Sequence, residues 1–186
     1  MNRRIKSNFD FRLMAISYKF RDFFQPRINI LKEVGIKRGD YVLDYGCGPG
    51  SYIIPLIELV GKEGKIYALD SHPIAIQMIQ KIVLKKQLKN VEIIHSDCKT
   101  GLPDNSIDVV LLYDVLHELN KPNEVLEEIH RVLKSNGILS VSDHHMKENE
   151  IISKVTNKGL FKLLKKGERT YNFLKENINK NWYSNK

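Results

Sequence analysis

The sequence predicts an α/β fold, with a mostly parallel sheet, helices on both faces and an antiparallel hairpin at its C-terminal end. Three observations point to it. Short apolar runs alternate with amphipathic segments of helical period between residues 41 and 157. The run Tyr41-Val42-Leu43-Asp44-Tyr45 empties into Gly46-Cys47-Gly48-Pro49-Gly50, a strand leading through a glycine loop toward a helix start. Residues 160–166 and 170–175 flank Gly167-Glu168 and read as a hairpin.

The elements follow in chain order. Residues 9–24 interleave apolar side chains such as Phe11, Ile16 and Phe20 with basic ones, which predicts a helical segment ended near Pro26. A short amphipathic helix over 27–34 is closed by Gly35. A strand at 41–46 leads to a helix at 51–60, and a strand at 65–70 to a helix at 73–87 with Ala75, Ile76, Ile79, Ile82 and Val83 on one face. A strand at 91–97 is followed only by a loop, 98–106, before the strand at 107–113. The helix at 122–134 turns Val125, Leu126, Ile129, Val132 and Leu133 inward and is stopped by Asn136-Gly137. A strand at 138–143, a short helix at 147–157 and the hairpin complete the pattern. We expect one domain over 1–186: an N-terminal helical segment, 1–34, able to serve as a lid, a core, 35–176, and a frayed polar tail, 177–186.

Composition narrows the class. Apolar content of 42% and charged content of 28% suit a globular protein with a real core. No apolar run approaches membrane-spanning length, and the first residues lack the apolar stretch of a signal peptide, so a cytoplasmic enzyme is expected. Two cysteines, Cys47 and Cys98, form neither a disulfide framework nor a zinc pattern, and are expected to be small buried residues beside a ligand. The net charge of +8 is uneven: residues 1–40 and 147–186 each hold ten Lys/Arg against four Asp/Glu, while 41–146 hold ten against fourteen. Basic ends favour anionic partners, so membrane or RNA contact through them is an alternative to the plainer reading of a solvated surface and a lid.

The acidic residue before the glycines selects the ligand. A dinucleotide pyrophosphate gains nothing from a fixed negative charge beside it, whereas the cationic aminoacyl end of S-adenosylmethionine does. Asp70 ends the second strand, twenty residues after Gly50, where a carboxylate accepts hydrogen bonds from ribose hydroxyls. It is equally placed to cap the next helix, with Ser71 beside it. Asp97 ends the third predicted strand, in reach of an adenine amino group, with the Cys98 backbone at the ring edge. A nicotinamide enzyme is disfavoured by Asp44, by Asp97 and by the lack of a second nucleotide-binding half.

At these residues the chain resembles the class I S-adenosylmethionine-dependent methyltransferases, particularly the small-molecule "type 11" group. The resemblance rests on residues 42–50, on Ala68-Leu69-Asp70, Ser96-Asp97-Cys98 and Asp108-Val109-Val110, and on His130-Arg131-Val132-Leu133-Lys134-Ser135-Asn136-Gly137, covering roughly 30–145. It implies a Rossmann-like sheet of seven strands. It also implies that Asp44 and the loop of Gly46, Cys47, Gly48 and Gly50 bind the methionine part, Asp70 the ribose, and Asp97 with Cys98 the adenine. Ser71 and Tyr113 complete the expected cofactor set. The near-absent helix between the third and fourth strands departs from the family.

Methyl transfer from a sulfonium depends mainly on positioning, and a base is needed only for an acceptor that must lose a proton. The candidates are His117, Tyr113 and His144, with Asp114, Asp143 and His145 near them. His144-His145 with Asp143 is an alternative metal set, but Asp143-His144 matches the magnesium pattern of catechol-type methyltransferases only in part, and no metal is expected. Leu112-Tyr113-Asp114-Val115 lacks the Pro-Pro-aromatic segment that goes with methylation of exocyclic amines, and the cysteine sets of arsenite methyltransferases are missing. The expected acceptor is a small molecule, with an anionic one favoured by the basic ends. The alternatives are a non-catalytic adenosyl-binding module and an RNA or protein methyltransferase that uses the basic flanks.

Overall fold

The computed structural model describes residue 7, residues 11–13 and 15–17, and residues 26–176. Residues 11–13 and 15–17 are helical, as expected for the N-terminal segment; the rest of 9–24 and the tail 177–186 lie outside the described residues. The elements then run α1 (Ile28–Lys32), β1 (Tyr41–Tyr45), α2 (Ile53–Val60), β2 (Lys65–Asp70), α3 (Pro73–Lys86), β3 (Val91–His95) and β4 (Ile107–Tyr113). They continue with α4 (Pro122–Val132), β5 (Leu133–Ser142), α5 (Glu148–Thr156), β6 (Phe161–Lys166) and β7 (Tyr171–Lys175).

The seven strands form one sheet in the order β3-β2-β1-β4-β5-β7-β6. Strands β1 to β5 pair in parallel, and β7 runs antiparallel to both β5 and β6. This is the Rossmann-like sheet with a closing hairpin. Parallel strands covered on both faces must be apolar throughout rather than alternating, and β4 is buried at six of its seven positions. One face packs Leu43, Val110, Leu139 and Phe173 against Val125, Ile129, Ile151 and Val155 of α4 and α5. The other packs Val42, Ile66, Val109 and Leu111 against Leu31, Ile53, Leu56 and Ile79 of α1, α2 and α3. Each such side chain contributes about 1.5–3 kcal/mol by burial, which is what fixes the strand faces.

Two boundaries differ from the sequence expectation. Strand β3 stops at His95, two residues short of Asp97. Helix α4 ends at Val132, and β5 begins at Leu133, five residues before the predicted strand. Leu133 already pairs with Ile107, and the register then slips to Ile138 opposite Val109. Lys134 Nζ bonds Asp108 Oδ1 at 2.7 Å, and a Cβ at Gly137 would lie 3.1 Å from the Asp108 carbonyl oxygen. Asn136-Gly137 therefore accommodates an irregularity beside β4 rather than stopping a helix. At the other end of the chain, Glu33 Oε2 accepts bonds from the backbone N–H groups of Arg169 and Thr170 and from Thr170 Oγ1, tying the residue after α1 to the β6–β7 turn.

The order of the strands locates the crevice. The chain moves outward from β1 through β2 to β3, then returns to place β4 on the other side of β1. In open α/β sheets ligands lie beyond the strand C-termini at that reversal. Here the reversal is bounded by Tyr45 and Tyr113.

Phe173 is fully buried at the centre of the hairpin's contact with the α4–α5 layer. Phe173→Ala should cost about 3–5 kcal/mol, read in urea unfolding as a lower midpoint with an unchanged m-value.

Candidate active site

The glycine loop is built on the end of β2. The N–H groups of Gly46 and Cys47 both donate to the Leu69 carbonyl, at 2.8 and 2.9 Å. Gly48 N–H donates to Asp70 Oδ2 at 2.9 Å. All three glycines have positive φ, 82°, 52° and 88°, yet each meets a different demand. A Cβ on Gly46 would collide with Val115 of the loop after β4, and one on Gly50 would lie 2.5 Å from Ile79. Nothing lies within 4 Å of a Cβ on Gly48. The outer two glycines let the protein close on itself; the middle one faces open space.

Asp44 sits at the inner end of β1, on the face of Val42, and is 2% exposed. Its Oδ2 is buried without a hydrogen-bond partner. Burial, with the negative charge of Asp70 added, raises its pKa from 3.8 to about 7. Asp70 spends its oxygens on the Gly48 N–H and, at 2.8 Å, on the His72 N–H. Each carboxylate oxygen has a second lone pair, so acceptor capacity remains. His72, not Asp70, caps α3: its Nδ1 accepts from Ile74 N–H at 3.1 Å, and Phe11 stacks on its ring at 4.3 Å. The N-terminal helix thus docks beside the Asp70–Ser71 corner, and Ser71 turns its carbonyl toward His95 Nε2.

Asp97 and Cys98, expected to border an adenine, lie in the loop after β3. Asp97 is exposed, and its carbonyl, like that of Cys98, accepts from the Tyr45 hydroxyl. No helix orders this loop. Instead the buried Glu128 of α4 accepts from Thr100 N–H at 2.8 Å and Thr100 Oγ1 at 2.7 Å, while Arg131 bonds it through Nε and Nη2 and reaches Asp104. These bonds, Arg131 foremost, lower the Glu128 pKa to about 2. The tie is therefore complete above the ordinary 4.5 and is lost only as pH falls toward 2. The sequence expectation does not contain this network; its one signal is a Glu, Glu128, within the apolar stripe of Val125, Leu126, Ile129 and Val132.

The ends of β4 and β5 hold two His–Asp pairs that exchange partners across the strands. Asp143 Oδ2 accepts from the backbone N–H of His117 at 3.0 Å and lies 2.8 Å from its Nδ1. Asp114 Oδ1 accepts from the backbone N–H of His144 at 3.3 Å and lies 2.6 Å from its Nδ1. Asp143 Oδ1 also takes the His145 N–H, and the three imidazoles form a chain with centroids 4.4 and 3.8 Å apart. Asp114 has φ +55°, a left-handed conformation that Asp tolerates better than most residues, and its N–H bonds the Ser142 carbonyl.

The other candidates are placed as follows. The Tyr113 hydroxyl bonds Ser140 Oγ at 2.9 Å inside the sheet, and its ring meets Tyr52 edge-on. Burial pushes its pKa well up, which suits packing at the crevice floor and not proton abstraction. Cys47 is buried and Cys98 half-buried, and burial raises both thiols, against a nucleophilic role. Among the described residues no three His, Cys, Asp or Glu side chains form a group able to hold a metal ion. No helix among them is long and apolar enough to cross a membrane.

The known proteins that this chain is similar to are methyltransferases. The profile of a methyltransferase-domain family matches residues 36–183. A demethylmenaquinone methyltransferase of Geobacillus stearothermophilus is 34% identical over 120 residues, 64% of this chain and 51% of that protein. One from Geobacillus kaustophilus is 32% identical over 136 residues, 73% of this chain and 57% of that protein. The chain therefore spans about half the length of these curated relatives. The crystal structure of a SAM-dependent methyltransferase from Aquifex aeolicus superposes with a TM-score of 0.73 at 28% identity, covering 87% of this chain and 97% of that one.

The glycines should separate by experiment. Gly46→Ala forces Val115 aside and should destabilise the fold by several kcal/mol, on the order of 2–4. Gly48→Ala should cost only about 1 kcal/mol in thermal unfolding while impairing ligand binding at the open face.

Proposed function

Because the chain belongs to the class I S-adenosylmethionine-dependent methyltransferases, through a methyltransferase domain over residues 36–183, we propose that it moves a methyl group from S-adenosylmethionine to a small-molecule acceptor. The observation behind this is the buried Asp44 Oδ2, a carboxylate oxygen with no partner beside a second carboxylate and an open glycine. Such an oxygen is stable only when neutral or when a cation meets it. The cationic amino group of the methionine moiety meets that need, so the residues present fit this cofactor.

In this arrangement Asp44 holds the amino group and the loop from Gly46 through Cys47 and Gly48 to Gly50 lies along the methionine chain. Asp70 takes the ribose hydroxyls on its remaining lone pairs, with Ser71 adjoining. Asp97 and the Cys98 backbone border the adenine, on a loop that Glu128 holds in place. Tyr113 floors the crevice beneath the reacting centre. Bound there, S-adenosylmethionine supplies an electrophilic sulfonium methyl. The protein's part is to hold the acceptor in line with it, above the ends of β4 and β5 where His117 and His144 stand; such positioning supplies much of the rate in a displacement. Relatives named for demethylmenaquinone favour a small molecule over RNA or protein as acceptor.

Asp44 gives the test its sign. The carboxylate must be ionised to hold the ammonium group, and in the empty protein its pKa lies at about 7. Affinity for S-adenosylmethionine should therefore fall as pH drops through about 7 in calorimetry. Asp44→Asn should remove that dependence and weaken binding by ~1.5–3 kcal/mol; Asp70→Ala should weaken binding comparably but keep the dependence, with its midpoint moved to lower pH because Asp44 loses a neighbouring negative charge. With a raised folded-state pKa, the stability associated with Asp44 is present at acid pH and lost as pH rises to 7, roughly 4 kcal/mol by linkage. Asp44→Asn should thus raise the melting temperature of the ligand-free protein at pH 8. Labelled methyl should pass from S-adenosylmethionine into a small-molecule extract. Micromolar binding without any transfer would instead fit a non-catalytic adenosyl-binding module.

A further inference from the structure

From the exchanged His–Asp pairs we infer that the acceptor is a hydroxyl compound, phenolic or enolic, that must lose its proton to be methylated, with His117 as its base and Asp143 as the residue that positions that base. The inference rests on the methyltransferase reading of the same crevice. It starts from the hydrogen-bond chemistry of the pairs. A carboxylate accepts and cannot donate, so Nδ1 of His117 must bear the proton it gives to Asp143. The lone pair is then on Nε2, the atom outside the pair. Asp143, with a fully buried side chain, grips His117 twice, by backbone N–H and by Nδ1, and so fixes the direction in which Nε2 points.

Position places this base at the reaction. His117 lies three residues after Asp114 and two after Val115, the side chain a Cβ on Gly46 would strike. The loop that carries His117 therefore rests on the first glycine of the donor loop. His117 is only 25% exposed, while His144 is 60% exposed at the mouth. The second pair, His144 with Asp114, has the same Nδ1-to-carboxylate arrangement and offers a second imidazole to a polar group of the acceptor. The titratable groups around His117 from the two loops are Asp143, Glu118 and His145, with His144 and Asp114 beyond them. Glu118 Oε1 stands 3.7 Å from His117 Nε2.

The acceptor O–H bond breaks and its proton passes to Nε2 of His117. The oxygen so charged forms a bond to the methyl carbon as that carbon leaves sulfur, the S–C electron pair staying behind on a neutral thioether. His117 then releases the proton to water at the exposed side of the cluster. Asp143 and Asp114 are each engaged with an imidazole, so what these two pairs present to a ligand is the lone pair on the far ring nitrogen. The basic ends of the chain repel a cationic amine and attract an acidic hydroxyl compound.

The competing explanation is that the pairs only lock the two loops together. His117→Asn separates the roles, because the asparagine Nδ2–H group can replace Nδ1–H as donor to Asp143 but offers no base. The experiment supplies methyl-labelled S-adenosylmethionine and a small-molecule extract to the wild-type chain, His117→Asn and Asp143→Asn, and identifies the labelled atom. We expect label on the oxygen of phenolic or enolic products. We expect His117→Asn to bind S-adenosylmethionine as the wild type does but to lose about 100-fold or more in kcat/KM, together with the acid-side fall that an imidazole base produces. Asp143→Asn should lower kcat about tenfold with little change in KM for the donor. Label on nitrogen or sulfur, or full activity in His117→Asn, would overturn the inference while leaving the methyltransferase reading intact. No labelled product from wild type that binds the donor would overturn both.

Discussion

A carboxylate that cannot be comfortably ionised where the fold places it organises this protein. Asp44 lies one residue before the end of β1, an inner strand of the sheet, surrounded by apolar residues on the α1–α3 side and close enough to Asp70 to feel its charge. The fold keeps it there at a cost of a few kcal/mol once the pH rises past neutrality. Everything around it follows from that placement. The loop must turn away immediately, hence positive φ at Gly46, Gly48 and Gly50. The turn must rest on something, hence the double bond to Leu69 and the bond from Gly48 to Asp70. In the proposed function, the cationic end of the donor relieves the strain at that point and is held by it.

The rest of the crevice is assembled by ties between loops that have little regular structure of their own. Glu128 does for the β3–β4 loop what a crossover helix does in the wider family, holding Thr100 from beneath while Arg131 reaches out to Asp104. The exchange of carboxylates between the β4 and β5 loops does the same for that pair of loops. Buried charge-assisted bonds are suited to this work because breaking one leaves a charge stranded, so each loop is held firmly with few contacts. Glu33, only partly buried, ties the hairpin turn by accepting from two backbone N–H groups and a hydroxyl.

What the sequence disclosed, and what it did not, divides along one physical line. Asp44, the glycines and Asp70 were legible because their meaning is local: a strand end, a tight turn and a spacing. The sheet and its hairpin were legible because their apolar periods are local as well. His117 and His144 were visible as candidates, but their partnership with Asp143 and Asp114 spans 26 and 30 residues and appears only once β4 and β5 lie side by side. β5 starts earlier than its local pattern indicates because Leu133 is drawn into the sheet by Ile107, a tertiary pairing that overrides the Asn-Gly stop signal. Tyr113 stood at the right strand end, yet alternation puts it on the face of Val109 and Leu111, so its phenol is taken up by Ser140.

The most direct test of the central claim is to follow the Asp44 side-chain carboxyl by carbon-13 NMR with and without S-adenosylmethionine. The account predicts titration near pH 7 in the empty protein and a carboxylate that stays ionised well below that once the donor is bound. Titration at an ordinary carboxyl pH in the empty protein, or a midpoint that S-adenosylmethionine does not move, would contradict it.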